Sequence, residues 1–105
     1  MRLSQEQITQ IQKVIASFWK QIPFEIYLYG SRVHDHLKGG DLDLLVLTNE
    51  EGVTLYRDIH LDVLVELKKK PEIGDRKIDF KVLTKKILDS DPFWKKVSQE
   101  MVRIG

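Results

Sequence analysis

Two aspartates stand at the start of a run of apolar residues that is typical of a buried strand. Asp41 and Asp43 flank Leu42 and lead into the run 44–47. Alternate residues of a strand point to the same face, roughly 6.6 Å apart, so both carboxylates can reach one cation. Ionised carboxylates beside a core are costly unless they are paired or bind a metal, and hard oxygen ligands favour Mg²⁺ or Mn²⁺ over zinc. The alternative, which the pair alone leaves open, is that both are solvated at a fraying strand start or cap a turn after Gly39-Gly40.

A third aspartate, Asp79, lies in the middle of the predicted strand 77–83. A carboxylate there runs against strand preference. The alternation of the strand places Lys77 and Lys81 on the same face as Asp79, with apolar residues on the other face. Simple exposure between flanking lysines is therefore the plain explanation for Asp79 taken alone.

A Gly-Ser pair stands where another strand-like run ends. Gly30 and Ser31 follow the run 24–29 and open a short segment, 31–37, that is predicted as a helix or turn. Gly lets the backbone approach a phosphate, amides at a helix start point toward an anion, and the Ser hydroxyl adds a donor. Arg32 adds a cation for the phosphate or pairs with an acid on the helix surface. A turn without any ligand is the commoner explanation of a Gly-Ser pair by itself.

Two other groups of residues, a pair of histidines and a basic segment, are explained without a ligand. His34 and His36 flank Asp35 but lack a third ligand at matching spacing, so a zinc site is disfavoured. Between Lys68 and Lys86, eight basic residues stand against three acidic ones, which could attract nucleotide or RNA phosphates but more often forms a solvated face. Direct nucleic-acid binding is therefore disfavoured.

Composition narrows the class of protein. A chain of 105 residues is expected to form a single domain, 1–105, and 42% hydrophobic residues suffice for a folded core. The net charge of +1 argues against a generic basic wrapper of nucleic acid, and the absence of Cys excludes disulfides, Cys-based zinc sites and thiol catalysis. The longest apolar run, 44–47, is far shorter than the ~20 residues of a membrane span, and residues 1–6 lack a secretory signal's apolar core. We expect a cytoplasmic protein with no membrane association.

The elements that must position these residues follow from periodicity and caps. Ser4 and Gln7 have capping-box spacing at the start of a helical stripe, and Asp91-Pro92 is typical of another helix start. The segment 53–70 fits both a strand and a helix, and its length and the lysines before Pro71 favour a helix. The predicted elements are a helix from Ser4 to Pro23, a strand over 24–29, a short helix or turn over 31–37, a strand over 41–47, a loop over 48–52, a helix over 53–70, a strand over 77–83 and a helix from 92 through 101.

This order, α-β-α-β-α-β-α, predicts an α/β or α+β fold in which helices pack on a small mixed sheet. Three large aromatic residues, Trp19, Phe93 and Trp94, stand at helical positions and are predicted to join the core, with a partner surface as the alternative.

Taken together, the motifs resemble a known family. Gly30-Ser31-Arg32, the acids Asp41-Leu42-Asp43 that follow Gly40, and the Asp79 of a later strand resemble the DNA-polymerase-β-type nucleotidyltransferases. The chain looks most like their smallest members, the minimal (MNT) nucleotidyltransferases, and the likeness covers nearly its whole length.

The resemblance implies a specific chemistry. Asp41, Asp43 and Asp79 would be the catalytic acids and would bind two Mg²⁺ ions, with Mn²⁺ as an alternative, while Gly30, Ser31 and Arg32 would hold the triphosphate of ATP or another NTP. Asp79 would also help to activate the acceptor hydroxyl. Minimal relatives are commonly paired with a helical HEPN toxin, so the chain is predicted to be an antitoxin that moves AMP onto a hydroxyl of that partner protein.

A second hypothesis comes from another class of function. His34-Asp35 stands where the family often has Arg-Gly. A non-catalytic binding module that neutralises its partner by contact therefore stays open, as do the identity of the acceptor and homo-oligomerisation.

Overall fold

The computed structural model describes residues 3–30, 42–74 and 76–105. Its strands form a mixed sheet in the order β3-β2-β1-β4, in which β1 runs antiparallel to β2 and β4, while β2 and β3 are parallel. The elements are α1 (Gln5–Trp19), β1 (Phe24–Leu28), β2 (Leu42–Thr48), α2 (Glu50–Lys68), β3 (Ile78–Thr84), α3 (Lys85–Ser90), α4 (Pro92–Ser98) and β4 (Val102–Arg103). The predicted mixed sheet with packed helices is confirmed, and the predicted segment 31–37 lies outside the described residues.

The first helix has the predicted capping box. The Gln7 amide donates to Ser4 Oγ at 3.1 Å, and the Ser4 amide donates to Gln7 Oε1 at 2.8 Å. The helix ends earlier than predicted, at Trp19 rather than at Pro23. Lys20 takes a φ of 52°, which turns the chain out of the helix before proline has any influence.

The ambiguous middle segment is a helix, as predicted, but it starts inside the predicted loop 48–52. Asn49 caps α2 by accepting from the Gly52 amide at 2.9 Å. Glu50 and Glu51 occupy the first turn, where negative charge is favourable. Gly52 packs tightly on β2, because a Cβ there would lie 2.7 Å from the Thr48 Cγ2.

The last part of the chain contains two elements that were not predicted from the sequence. Thr84 caps α3 by accepting from the Ile87 amide at 3.3 Å, and the two residues of β4 pair with the end of β1. A strand of two residues is too short to show alternation, and α3 has too few turns for a helical stripe. The predicted last helix ends at Ser98 instead of Met101, which leaves room for the chain to reach β4.

The sheet separates two apolar layers. Alternate residues of β2 and β3, such as Leu44, Val46 and Phe80, pack against α1 and α2 in the larger core. The intervening residues face α3 and α4, where Leu45, Leu47 and Leu88 form a smaller core. Trp19 is fully buried and stacks on Phe80 with ring centroids 6.2 Å apart, so its predicted core position is confirmed. In the part of the chain that the structure describes, no helix is long and apolar enough to cross a membrane.

Candidate active site

A row of three side chains crosses the sheet at one end. Asp43 on β2 lies directly beside Asp79 on the parallel strand β3. On the other side of Asp43, the Tyr29 amide donates to the Asp43 carbonyl at 3.1 Å and extends the β1–β2 ladder by one residue. Neighbouring strands are about 4.8 Å apart. Tyr29, Asp43 and Asp79, hereafter the acid row, thus lie side by side.

The acid row lies on the smaller face of the sheet. Leu42 and Leu44, the neighbours of Asp43, belong to the core under α1 and α2, as do Ile78 and Phe80 beside Asp79. Because strand residues alternate between faces, both acids point toward the side of α3 and α4. The family resemblance implies that Asp43 and Asp79 act together, and the structure places them on adjacent strands in the same register.

Gly30 closes one side of the Asp43 carboxylate. Its φ is +74°, a conformation that L side chains rarely adopt. A Cβ at this position would overlap Asp43 Oδ2 and stand 3.2 Å from Cγ. From the sequence alone, close approach to a phosphate explains this glycine. The structure adds that glycine is also what leaves room for the carboxylate.

Asp79 is accessible to solvent and lies beside a lysine. Its side chain is 44% exposed, and its Oδ1 lies 3.4 Å from the Lys81 Nζ on the same face. The flanking-lysine explanation from the sequence is therefore partly correct. An exposed pair of this kind contributes little to stability, so it leaves the carboxylate able to exchange Lys81 for another cation.

Two tyrosines lie close to the negative charge at this end of the sheet. Burial raises the pKa of the Tyr29 hydroxyl, and the charges of Asp79 and Asp43 raise it further. Burial also raises the pKa of Tyr56, again with a contribution from Asp79. Tyr56 donates its hydroxyl to the Phe80 carbonyl at 2.8 Å beneath the sheet. Both hydroxyls stay protonated at neutral pH, so they add no charge to the site.

Tyr29 was not predicted from the sequence as a site residue. A usable signal existed, since Tyr29 directly precedes Gly30 and therefore lies at the same strand end as the predicted phosphate turn. Trp94 packs on its ring in a T-shaped contact with centroids 5.3 Å apart.

The prediction that Phe93 belongs to the core is wrong, because this residue is 62% exposed at the start of α4.

The remaining predicted site residues, Ser31, Arg32 and Asp41, lie outside the described residues, as do His34 and His36. The structure thus brings together Gly30, Asp43 and Asp79. Within ranges 3–30, 42–74 and 76–105, no three His, Cys, Asp or Glu side chains cluster tightly enough to hold a metal. The acid row provides two carboxylates, and Asp41 is the predicted third.

A comparison with protein families finds one model, described as a nucleotidyltransferase domain, which matches residues 8–103. The match begins in α1 and ends in β4. It therefore includes Gly30 and every member of the acid row. No curated protein matches the chain.

Proposed function

Since the chain belongs to the nucleotidyltransferase domain family, we propose that it moves AMP from ATP onto a hydroxyl of a partner protein. The observation that carries this proposal is the pairing of Asp43 with Asp79 beside the Gly30 turn. Carboxylates on adjacent strands repel each other unless a cation lies close by. A pair of carboxylates held in this way is suited to binding metal.

The donor set fits divalent metal ions. Asp43 and Asp79, with Asp41 as the predicted third ligand, supply the hard oxygens that Mg²⁺ prefers, and Mn²⁺ is the alternative. Two ions held by these carboxylates would supply positive charge to neutralise the triphosphate and to stabilise the attacking and leaving oxygens of an in-line displacement. Nucleotidyltransferase domains typically use divalent metals of this kind.

The phosphates of the nucleotide are assigned to the side of Asp43 that faces away from Asp79. Gly30 lies against the Asp43 carboxylate, so a phosphate held by the Gly30 turn would lie beside this proposed metal ligand. We assign Gly30, Ser31 and Arg32 to the triphosphate, because amides and a hydroxyl at a turn of this type donate to phosphate oxygens.

Asp79 is assigned to the acceptor. It is the edge member of the acid row and is 44% exposed, so a hydroxyl from another molecule can reach it. The hydroxyl oxygen forms a bond to the α-phosphorus, the bond from that phosphorus to the bridging oxygen breaks, and pyrophosphate leaves. Asp79 orients the hydroxyl and accepts its proton.

The identity of the acceptor is proposed from the resemblance to minimal nucleotidyltransferases. We propose a helical HEPN toxin in the cytoplasm, which the chain inactivates as an antitoxin. The partner's own contribution to transfer would be a hydroxyl presented to the exposed side of Asp79.

The test is incubation of the chain with the product of its neighbouring gene, Mg²⁺ and α-labelled ATP, followed by measurement of the intact mass. We expect the partner to gain AMP, about 329 Da, as pyrophosphate leaves. Asp79→Asn should abolish this gain, while Asp58→Asn, an exposed aspartate on α2, should retain it. Neutralisation of the partner by the wild type without added mass would instead show a binding module that acts by contact.

A further inference from the structure

Two aromatic rings lead outward from the acid row. Trp94 contacts Tyr29 edge to face at 5.3 Å, and Phe93 contacts Trp94 edge to face at 5.1 Å. These two steps place the Phe93 ring within about 10 Å of the Tyr29 ring. The contacts therefore connect Tyr29 of the acid row to Phe93, a residue that is 62% exposed.

The position of the Phe93 ring is set by its surroundings. Asp91 caps α4 by accepting from the Phe93 amide at 2.9 Å and from the Trp94 amide at 3.3 Å. Edge-to-face contacts between aromatic rings add to the burial of Trp94 and restrain both rings. Phe93 thus presents a large aromatic surface to solvent on a fixed backbone.

The surroundings of Phe93 suit a small aromatic ligand better than a protein. Its exposed neighbours on α4 are Pro92, Lys95 and Lys96. A stable protein interface needs a contiguous surface of several hundred Å², with apolar residues at its centre. A single exposed ring beside two cations is instead the combination that binds bases and phosphates.

We propose that Phe93, supported by Trp94, is the stacking platform for the base of the nucleotide whose phosphates lie at Gly30 and the acid row. This inference rests on the proposed function and adds a base-binding surface to it. A nucleotide carries its base on the far side of the sugar from its phosphates, and Phe93 stands two ring contacts away from Tyr29, which lies at one end of the acid row. Stacking on phenylalanine is tolerant of base identity, so the platform adds affinity for any nucleoside triphosphate.

The experiment compares Mg²⁺-ATP with Mg²⁺-tripolyphosphate, which has the phosphates but no base, by calorimetry on the full chain. Phe93→Ala should weaken ATP binding about fivefold or more and leave tripolyphosphate binding within about twofold. Phe93→Trp should retain the affinity for ATP, because it restores an aromatic face. Leu61→Ala is the matched control, because Leu61 is 64% exposed and lies on α2, on the other face of the sheet. It should change neither affinity.

The outcomes separate the two proposals. Equal losses for both ligands in Phe93→Ala, or an unchanged ATP affinity, would overturn the base platform and leave the proposed transferase intact. If the wild type binds neither ligand in the presence of Mg²⁺, the proposed function fails and the platform fails with it.

Discussion

Gly30 and Asp43 are packed so closely that the residue type at position 30 affects the position of the Asp43 carboxylate. The positive φ of Gly30 and the overlap that any Cβ there would make with Asp43 Oδ2 are two separate reasons for glycine. The first concerns the stability of the turn, and the second concerns the direction in which a proposed metal ligand points. A substitution can separate them because Gly74 shares the first property only.

Gly30→Ala and Gly74→Ala should therefore differ in function more than in stability. Each introduces a Cβ at a positive φ, which costs about 1–2 kcal/mol. At Gly74 the nearest atom to that Cβ is the Pro71 carbonyl oxygen at 3.9 Å, so no clash follows. We expect both variants to unfold at lower urea concentrations, and only Gly30→Ala to lose Mg²⁺-dependent ATP binding in calorimetry. Retention of that binding by Gly30→Ala would refute the role of Gly30 in positioning Asp43.

Ionisation of Tyr29 should make the free energy of unfolding depend on pH in alkaline solution. Burial raises the pKa of its hydroxyl, and Asp79, Asp43 and Tyr56 raise it further, whereas in the unfolded chain it titrates near 10. Above about pH 10 the unfolded chain releases this proton while the folded protein keeps it, so the free energy of unfolding falls as pH rises. The stabilising contribution is complete below about pH 10.

Tyr29→Phe should remove this contribution. Its free energy of unfolding should fall less steeply between about pH 10 and 11, by up to about 1.4 kcal/mol per pH unit relative to the wild type. Urea titrations at pH 8, 9, 10 and 11 measure the two slopes. Identical slopes would mean that Tyr29 ionises as freely in the folded protein as in the unfolded chain.

Helix α4 packs on the smaller core next to the end of the sheet that contains the acid row. Its N-cap, Asp91, holds the first turn, and that turn carries both Phe93 and Trp94. The helix has only seven residues, too few to be stable alone, so the cap and the contact between Trp94 and Tyr29 decide its position.

Asp91→Ala should lower the free energy of unfolding by about 1 kcal/mol, because the first-turn amides lose their acceptor. Asp91→Asn should restore most of it, since Asn is an equally good N-cap. Differential hydrogen exchange of residues 92–98 measures the local effect. Ser4→Ala, which removes the cap of α1, is the control and should leave exchange in α4 unchanged. Full protection of α4 in Asp91→Ala would show that packing alone holds the helix.

The two faces of the sheet differ in how deeply their side chains are buried. The larger core under α1 and α2 contains most of the fully buried side chains, Trp19 and Leu67 among them. The smaller face leaves the acids accessible beside α3 and α4. Binding of Mg²⁺-ATP at the smaller face should therefore stabilise the fold without rearranging the larger core.

The expected stabilisation is large enough for a thermal shift. At a ligand concentration of about 100 times Kd, binding adds about 2.7 kcal/mol, which corresponds to a rise in Tm of roughly 10–20 °C for a domain of this size. The double variant Asp43→Asn/Asp79→Asn should lose the shift. Asp58→Asn/Asp62→Asn changes the net charge equally on exposed α2 positions and should keep it. Equal shifts in both double variants would place the nucleotide away from the acid row.

Local sequence patterns are sufficient to predict most of the helices and strands. The capping box at Ser4, the apolar alternation of β3 and the Asp91-Pro92 helix start each depend on neighbours within a few residues, and all three are present in the structure. The sequence does not predict that α2 starts as early as Glu50. Asn49 caps this helix, but asparagine is equally common in loops, so its residue type does not reveal the helix start. The strand β4 could not be predicted, since two residues form a strand only where β1 offers an edge.

The sequence by itself determined which residue types could do chemistry and that Asp43 and Asp79 lie on strands, because strand propensity and alternation are local properties. Only the tertiary structure decided that these strands are adjacent and in register, that Tyr29 completes the row, and that Phe93 is exposed rather than buried. Strand order, register and exposure depend on contacts between residues far apart in the chain, as with Asp43 and Asp79, so no local pattern specifies them.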